Sequence, residues 1–352
     1  MQHTDVCIAG AGIIGLSLAL DLARHGVRVT VLDRGPALAE ASTAAAGMLA
    51  ANDPHHPPLL QPLADLAISL YPAFLDHIAA LSDLRVPFQT SLTLQASTLP
   101  SINSVSTADL DILLPGHNLS GQHLVLLEEH SIDPRQLASA LLAAIRNTGV
   151  TLLSGTALLS VESTAAALTV VTSNDRLTPG FFVDCTGAWA VTCPSAIAPR
   201  KGQMLRVALS ATSPFPFVLR TPDVYIVPRT SGPDAGLALI GATVEDAGLD
   251  KSVHAADIAV LHAAAAHLLP ALAQAPVVAQ WAGLRSLTPD HLPLLGAHPS
   301  NPRHLFATGH FRNGILLAPA TAKLLASIIV GGPPSLDLAP FAPARFLAAP
   351  PA

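Results

Sequence analysis

The chain has 352 residues, of which 50% are hydrophobic and 12% are charged, so it is long enough for about two domains and too apolar for global disorder. Its formal net charge of -6 leaves no basic footprint, so no nucleic-acid partner is expected. The three cysteines are odd in number and lack C-x-x-C spacing, so we expect neither a disulfide framework nor a metal site, and we expect a cytoplasmic location.

The N-terminal residues predict a βαβ unit. A strand over 5–9 is followed by a glycine-rich turn, a helix from Ile13 to His25 closed by Gly26, and a second strand over 27–33. The apolar stretch at this end contains three glycines and follows no Lys or Arg. A secretory signal needs a basic start and a spanning helix prefers an unbroken apolar run, so we expect no stable membrane insertion.

The glycine-rich turn carries the first functional signal. Gly10, Gly12 and Gly15 form G-x-G-x-x-G between the strand and the helix, and Asp33 ends the next strand about twenty residues later. Gly10 permits the tight turn, Gly12 lets the backbone approach a pyrophosphate, and Gly15 lets the helix pack on the strand. Asp33 can accept hydrogen bonds from a ribose diol. The turn predicts a dinucleotide site but does not choose between FAD and NAD.

The remaining elements fall into two groups. Elements of a nucleotide-binding domain are predicted as helices over 63–81, 131–147 and 318–329 and as strands over 151–153, 167–172, 181–187 and 305–309. Short alternating segments predict sheet-rich structure over 86–127 and 201–280, with one helix over 255–269. The C-terminal Pro/Ala-rich residues are expected to be irregular. This alternation predicts an α/β nucleotide-binding domain interrupted by a second, sheet-rich domain.

Four further stretches carry a family pattern: Ala41-Ser-Thr-Ala-Ala-Ala-Gly-Met-Leu-Ala50, Tyr225-Ile-Val-Pro-Arg229, Trp281-Ala-Gly-Leu-Arg285 and Gly309-His-Phe-Arg-Asn-Gly-Ile-Leu-Leu-Ala-Pro319. With these stretches the chain resembles the glycine oxidase branch, of the thiamine-biosynthesis type, of the D-amino acid oxidase family of FAD-dependent oxidoreductases. The last stretch is the most specific, because eleven ordered residues with His, Arg, Asn, Gly and Pro are hard to produce by core packing alone.

The resemblance implies the domain arrangement. A Rossmann-like FAD-binding domain would be formed by residues 1–83, 131–200 and 281–340. An inserted α+β substrate domain, built on an antiparallel-rich sheet, would be formed by residues 84–130 and 201–280, and residues 341–352 would form the tail. FAD would be held noncovalently, since none of the three cysteines lies in the motifs above.

The resemblance also implies which residues contact FAD. Small side chains in the alanine-rich stretch would let the backbone lie along the pyrophosphate and the flavin. N–H groups at the start of the C-terminal helix would face the flavin oxygen, where a positive helix end stabilises negative charge. The full expected set is Gly10, Gly12, Ile13, Ile14, Gly15, Asp33, Arg34, Thr43, Ala44, Ala45, Ala46, Gly47, Met48, Thr186, Gly187, Arg285, His310, Arg312, Asn313, Gly314, Ile315 and Leu316.

Three residues are expected to hold an amino-acid substrate. In the resembling enzymes the arginine that matches Arg312 binds the carboxylate, the residue that matches Tyr225 donates its hydroxyl, and Arg285 lies in the same pocket. A guanidinium suits this task because its paired planar donors match a carboxylate. Met48 and Val244 are further expected pocket residues.

Two departures from the family pattern leave the pocket size open. Ser286 replaces a proline, and Val244 stands where methionine can occur. We expect glycine as the first substrate, followed by sarcosine or a small D-amino acid. The expected reaction is hydride transfer from the Cα of the neutral amine to flavin N5, which yields an imino acid, then a keto acid and ammonia. Electrons would pass to O2, the second partner, to give hydrogen peroxide.

Three alternatives stay open at this point. One is an FAD-dependent amino-acid dehydrogenase that uses an acceptor other than oxygen. The others are a noncatalytic FAD module and an FAD module related to RNA modification, although the acidic charge speaks against RNA. The resemblance suggests a link to thiamine biosynthesis, and the oligomeric state is left open.

Overall fold

The computed structural model describes residues 4–97, 104–119, 122–163, 167–210 and 215–347. Its strands are β1 (Val6–Ala9), β2 (Val29–Asp33), β3 (Phe88–Thr90), β4 (Thr93–Ser97), β5 (His123–Leu127), β6 (Ser131–Ile132), β7 (Thr151–Ser154), β8 (Leu158–Ser163), β9 (Leu168–Thr172), β10 (Arg176–Leu177), β11 (Phe181–Asp184), β12 (Ala198–Ala208), β13 (Val218–Arg220), β14 (Tyr225–Pro228), β15 (Leu237–Gly241), β16 (Val277–Leu287), β17 (Leu294–His298) and β18 (Asn301–Thr308). Its α-helices are α1 (Ile13–Arg24), α2 (Ala41–Ala44), α3 (Gln61–Ser82), α4 (Thr107–Leu113), α5 (Pro134–Arg146), α6 (Ala255–Leu268) and α7 (Gly314–Ile329).

A six-stranded sheet contains the N-terminal βαβ unit. Its strand order is β17-β18-β11-β1-β2-β7, with all neighbours parallel except β17 and β18. Apolar residues of α1, α3, α5 and α7 form a core with one face of this sheet, and β8 and β9 cover part of the other face. β1 is buried along its whole length, as a strand covered on both faces requires.

The order of the parallel strands reverses beside β1. The chain leaves β1 through α1 to β2 on one side, whereas β11 pairs with β1 on the other side. In open α/β sheets, ligands bind in the crevice that such a reversal opens at the carboxyl ends of the strands. The glycine-rich turn after β1 and the Thr186-Gly187 dipeptide after β11 both lie at this crevice.

A seven-stranded sheet joins the two sheet-rich regions of the sequence. Its order is β16-β12-β15-β14-β13-β4-β5, and every neighbouring pair is antiparallel except β13 and β4. Residues of α4 and α6 pack with one face of the sheet into a separate core. The predicted α/β fold, with a Rossmann-like parallel sheet and an antiparallel-rich second sheet, is confirmed.

We propose that the two sheets mark the two domains expected from the sequence, with a nucleotide-binding domain at 1–83, 131–200 and 281–340 and an inserted domain at 84–130 and 201–280. Strand β12 begins at Ala198, and β16 runs from Val277 to Leu287. Both strands therefore cross the proposed boundaries, because a hydrogen-bonded strand does not end where the motif pattern changes.

The C-terminal helix begins earlier than the sequence indicates. The predicted start was residue 318, whereas α7 begins at Gly314 and contains Pro319. Proline has no N–H for the carbonyl four residues back, which is that of Ile315. The Tyr71 hydroxyl donates to this carbonyl oxygen at 2.6 Å. A side chain 244 residues away thus satisfies the group that proline leaves open, and the helix continues.

The tail prediction is partly wrong. Residues Ala339–Phe341 and Pro343–Arg345 form short 3-10 helices rather than irregular chain. Phe341 is buried in the main core, and the Arg345 guanidinium forms an ion pair with Asp290 at 2.8 Å. These contacts hold the segment against the parallel-sheet side. Residues 348–352 of the predicted tail lie outside the described residues.

Helix α3, with the turn before it, is long and apolar enough to cross a membrane by length and composition alone. It packs against α5 and α7. Its buried residues Leu63, Ala64, Ala67, Tyr71 and Ile78 recur at helical spacing on the side that faces the core. The helix is therefore part of the helical layer over the parallel sheet.

Candidate active site

A cavity of about 950 Å³ is lined by residues from the carboxyl ends of the parallel strands and from one face of the seven-stranded sheet. This volume lies in the range of cofactor and ligand sites. Most of the expected site residues line it, from the glycine turn, the alanine-rich stretch, Tyr225 and the start of α7. Gly15, Thr43 and Leu316 do not.

Each of the three glycine positions of the turn favours glycine for a different structural reason. Gly10 has φ +105°, and a Cβ there would overlap the carbonyl oxygen of Cys185. A Cβ at Gly15 would overlap the carbonyl oxygen of Gly10. At Gly12 a Cβ would meet only the Ser42 hydroxyl oxygen, at 3.3 Å. The fold itself requires Gly10 and Gly15, whereas Gly12 keeps cavity space open in the way that a pyrophosphate needs.

The start of α1 shows a contact that the sequence analysis missed. The Ile13 N–H donates to the Ser42 hydroxyl oxygen at 2.8 Å, so a side chain already satisfies the first N–H of this helix. Ile14 also lines the cavity. Ser42 begins the small-residue run in the sequence, but nothing local indicates that it reaches the other motif.

Asp33 is held at the end of β2 with its carboxylate oriented by the backbone. Oδ2 accepts from the Ala11 N–H at 2.8 Å, and Oδ1 accepts from the Gly35 N–H at 2.9 Å. The carboxylate lines the cavity beside Arg34. The Arg34 guanidinium lies 3.7 Å from the Trp189 ring centroid and forms an ion pair with Glu40 at 2.8 Å. This arrangement suits a ribose and an adenine ring, and Trp189 and Glu40 were not predicted.

The alanine-rich stretch runs along the cavity wall. Ala44, Ala45, Ala46 and Gly47 line it, and Gly47 has φ +85°. A Cβ at Gly47 would overlap the carbonyl oxygen of Ile132. Small residues are therefore needed here both for the cavity and for packing against β6. Met48 is half-buried and also lines the cavity, whereas the Thr43 hydroxyl donates to the Leu38 carbonyl at 2.9 Å.

Arg285 and Tyr225 lie together at the sheet side of the cavity. The Arg285 Nη1 donates to the Thr243 carbonyl at 3.2 Å, and the Arg285 charge is near enough to act on the Tyr225 hydroxyl. Burial lowers the pKa of Arg285, and burial raises the pKa of Tyr225. Because its pKa is raised, the Tyr225 hydroxyl stays protonated at neutral pH and can donate a hydrogen bond. Val244 also lines the cavity, with its side chain exposed.

Arg312 lies at the cavity between Phe311 and the start of α7. Its guanidinium carbon lies 5.2 Å from the Phe311 ring centroid, and its residue is exposed. Among the residues that the structure describes, Arg312 forms no ion pair, unlike Arg220, which pairs with Glu129 at 3.1 Å. An unpaired guanidinium at a cavity is suited to bind a carboxylate.

The start of α7 presents backbone donors to the same cavity. Gly314 and Ile315 line it, and the first N–H groups of a helix have no intrahelical partner. Asn313 is buried at the N-cap position, and it lines the cavity together with His56. His310 is buried with Nε2 at 3.1 Å from the Thr321 hydroxyl oxygen, and burial lowers its pKa to about 3. His310 is therefore neutral.

Residues that sequence reasoning did not select also line the cavity, namely Ser42, Glu40, Asp53, His56, Gln95, Trp189 and Arg220. Arg220 faces the cavity beside Tyr225, because the two are paired across β13 and β14. Strand pairing alone could have placed it there, and the sequence does not give that pairing. In the described part of the chain, no group of three or more potential metal ligands comes together.

Comparisons of the sequence and of the structure with known proteins indicate the same family. A family model described as FAD dependent oxidoreductase matches residues 5–328. The chain is 30% identical to glycine oxidase of Bacillus licheniformis, over 94% of each chain. It is 34% identical to the bifunctional protein ThiO/ThiG of Trichormus variabilis, over 93% of this chain and 52% of that protein. The solved structure of glycine oxidase from Geobacillus kaustophilus superimposes with a TM-score of 0.90 at 27% identity, covering 100% of both chains.

Proposed function

This chain belongs to the D-amino acid oxidase family of FAD dependent oxidoreductases, and from that premise we propose that it oxidises glycine or another small amino acid. The predicted cofactor, FAD, and the predicted resemblance to the glycine oxidase branch are confirmed. The single observation that carries the substrate proposal is the unpaired guanidinium of Arg312, at a cavity that Tyr225 and Arg285 also line.

The residues present fit FAD. Gly12 leaves open the space that a Cβ would fill, and the glycine turn lies at the strand-order reversal where dinucleotides bind. The Asp33 carboxylate, at the end of β2, is oriented by the N–H groups of Ala11 and Gly35. We assign the ribose to Asp33, the pyrophosphate to the turn and the stretch at 44–47, and the flavin to the start of α7.

The substrate contacts follow from charge and position. Arg312 binds the carboxylate of the amino acid through paired N–H donors, and the Tyr225 hydroxyl donates to the same group. Arg285 places a second positive charge beside Tyr225. Met48 and Val244 border the remaining space and limit the side chain that the substrate can carry. These contacts orient the Cα hydrogen, and such positioning supplies much of the rate in a two-reactant step.

FAD supplies the chemistry by accepting a hydride from the substrate Cα at N5. With FAD bound, the N–H groups at the start of α7 and the positive end of that helix would stabilise negative charge on the N1/C2=O edge of the flavin. The imino acid then hydrolyses to a keto acid and ammonia, and we propose O2 as the electron acceptor, with hydrogen peroxide as product. Similarity to a ThiO/ThiG protein supports a place in thiamine synthesis, and the free state of Cys7, Cys185 and Cys193 supports a reducing, cytoplasmic location.

The experiment is a substrate panel on the purified flavoprotein. Glycine, sarcosine, D-alanine and D-proline are added without oxygen while the visible absorption of the flavin is recorded. We expect glycine to bleach the absorption and air to restore it with release of peroxide. If none of the four bleaches bound FAD, the amino-acid proposal fails. If bleaching occurs but air restores the colour only with an added quinone, the enzyme is a dehydrogenase.

A further inference from the structure

We call residues 44–47 the alanine segment. Two strands of the seven-stranded sheet, β14 and β16, each carry one residue at the proposed substrate position. Each of these strands, or the residue directly after it, also provides one side chain that contacts the alanine segment. On β16, Trp281 and Arg285 are four residues apart and therefore lie on one face. On β14 and the residue after it, Tyr225 and Arg229 have the same spacing. The wall that holds the substrate thus also borders the alanine segment.

Both outlying residues donate hydrogen bonds to carbonyl oxygens of the segment. The Trp281 Nε1–H donates to the Ala44 carbonyl at 3.1 Å, and the Arg229 Nη2–H donates to the Ala46 carbonyl at 2.8 Å. Gly283, between Trp281 and Arg285, brings the strand close, because a Cβ there would lie 2.7 Å from the Ala44 Cβ. The Gly283 backbone therefore lies close to the Ala44 methyl group, and two side-chain donors are directed at carbonyl oxygens of the segment.

The Arg229 guanidinium is a buried charge with few hydrogen bonds. Its side chain is 1% exposed, and its Nε lies 4.0 Å from Asp133 Oδ1. Nε and Nη1 have no hydrogen-bond partner within the described residues. Burial lowers its pKa to about 10, so the guanidinium is still charged at neutral pH. A buried charge is costly unless it is paired and hydrogen-bonded, and within the described residues the bond to Ala46 is the one hydrogen bond that this guanidinium makes.

The bond to Ala46 also orients a donor. In a trans peptide the C=O and the following N–H point in opposite directions. With the Ala46 carbonyl directed at Arg229, the Gly47 N–H points away from the sheet. This N–H has no hydrogen-bond partner in the part of the chain that the structure describes, and Gly47 lines the cavity.

We propose that Arg229 and Trp281 are positioning residues for FAD, which hold the alanine segment from behind so that its backbone donors face the cofactor. The sheet that binds the substrate thereby completes the cofactor site, although neither residue lines the main cavity. FAD affinity then depends on hydrogen bonds that FAD does not itself make. This proposal does not depend on which amino acid is oxidised.

The test measures FAD affinity in three holoprotein variants. Arg229→Met and Trp281→Phe each remove the donor and keep much of the side-chain volume, and Arg206→Met is the control. Arg206 borders the same small polar cavity as Arg229 and forms an ion pair with Asp234, but no hydrogen bond from it to the alanine segment is observed. FAD released on dilution is followed by its fluorescence, and thermal unfolding of each apoprotein is measured in parallel.

We expect the FAD Kd to rise about tenfold to thirtyfold in Arg229→Met, because a hydrogen bond from a charged donor is lost, and about threefold to tenfold in Trp281→Phe. The Kd of Arg206→Met stays within about twofold of wild type. The proposal requires both increases. It is overturned if either variant keeps the wild-type Kd and only its apoprotein melts earlier, since that result marks a purely structural role. If Arg229→Met does not fold, Trp281→Phe alone decides the proposal under the same criterion.

Discussion

The Arg285 guanidinium lies against Gly202, in space that any side chain at position 202 would occupy. The two residues are on adjacent strands, and a Cβ at Gly202 would overlap the guanidinium group. The backbone of Gly202 is not left-handed, so its conformation does not require glycine. The missing side chain instead leaves room for the Arg285 guanidinium. The position of Arg285, for which we propose a role in the pocket, is thus set by a glycine on the neighbouring strand.

Gly202→Ala is predicted to displace Arg285 while the fold persists. The overlap involves the far end of a flexible side chain, which can move without a shift of the backbone. Displacement of a positioning group by about 1 Å can cost about a hundredfold in rate, so we expect a loss of that order in flavin reduction by glycine. Anaerobic stopped-flow absorption measures this rate. An unchanged rate with Gly202→Ala would show that Arg285 does not act in the pocket.

Gly149→Ala is the matched control for that experiment. A Cβ at Gly149 would meet nothing within 4 Å. Its rate of flavin reduction is therefore expected to equal that of the wild type.

Arg312→Ala is predicted to weaken amino-acid binding about a hundredfold, because a carboxylate loses its charged partner. Bound FAD is expected to remain, since the guanidinium is exposed at the cavity and supports no described ion pair. The concentration of glycine that gives half-maximal reduction measures the binding loss, and the visible spectrum measures FAD. Loss of FAD with no change in glycine binding would mark Arg312 as a cofactor residue instead.

Gly12→Ala is predicted to separate cofactor binding from folding. Gly12 has φ -77°, which alanine adopts freely, and its Cβ would meet only the Ser42 hydroxyl oxygen. We expect the apoprotein to unfold near the wild-type temperature and the FAD Kd to rise at least about tenfold, because the methyl group occupies the space of the pyrophosphate. Gly10→Ala should instead destabilise the apoprotein, since its overlap is with the backbone. Equal FAD affinity in Gly12→Ala and wild type would remove the pyrophosphate from this turn.

His310 is predicted to make the protein less stable in mild acid. Burial lowers its folded pKa to about 3 from an ordinary value of 6.5. The unfolded chain therefore binds a proton below pH 6.5 that the folded chain does not, and stability present above 6.5 is lost as the pH falls towards 3. Between pH 7 and pH 5 this group costs about 2 kcal/mol in the free energy of unfolding.

The measurement is urea unfolding of the holoprotein at pH 7 and pH 5, for wild type and His310→Gln. The decrease in unfolding free energy between the two pH values should be smaller by about 2 kcal/mol in the variant. His123→Gln changes an exposed histidine and serves as the control. An identical decrease in His310→Gln and wild type would mean that His310 takes up a proton in the folded state.

The sequence predicts local elements well and long-range contacts poorly. The glycine turn, α3 and the βαβ unit follow from spacing within one segment, and the structure has them at nearly the predicted residues. The helix was predicted to start at residue 318, whereas α7 begins at Gly314 and continues through Pro319. The Tyr71 hydroxyl that compensates for it comes from a distant helix, so no local pattern shows it.

The same limit applies to the site. The motif stretches indicate Arg312, Arg285 and Tyr225, and the structure brings all three to one cavity. Arg220 contacts that cavity because β13 pairs with β14, and His56 contacts it because the loop before α3 brings it there. Neither contact leaves a pattern in the sequence of the segments involved. Residues that shape a site from other elements therefore require the tertiary structure.

Anaerobic mixing of the purified flavoprotein with glycine tests the central claim most directly, with ordinary glycine and glycine deuterated at Cα compared side by side. The account predicts that the visible flavin absorption bleaches in a saturable reaction and that deuterium slows the bleaching, because the Cα–H bond breaks as the flavin is reduced. An oxidised FAD spectrum that stays unchanged at saturating glycine, and with sarcosine and D-alanine in its place, would contradict the account.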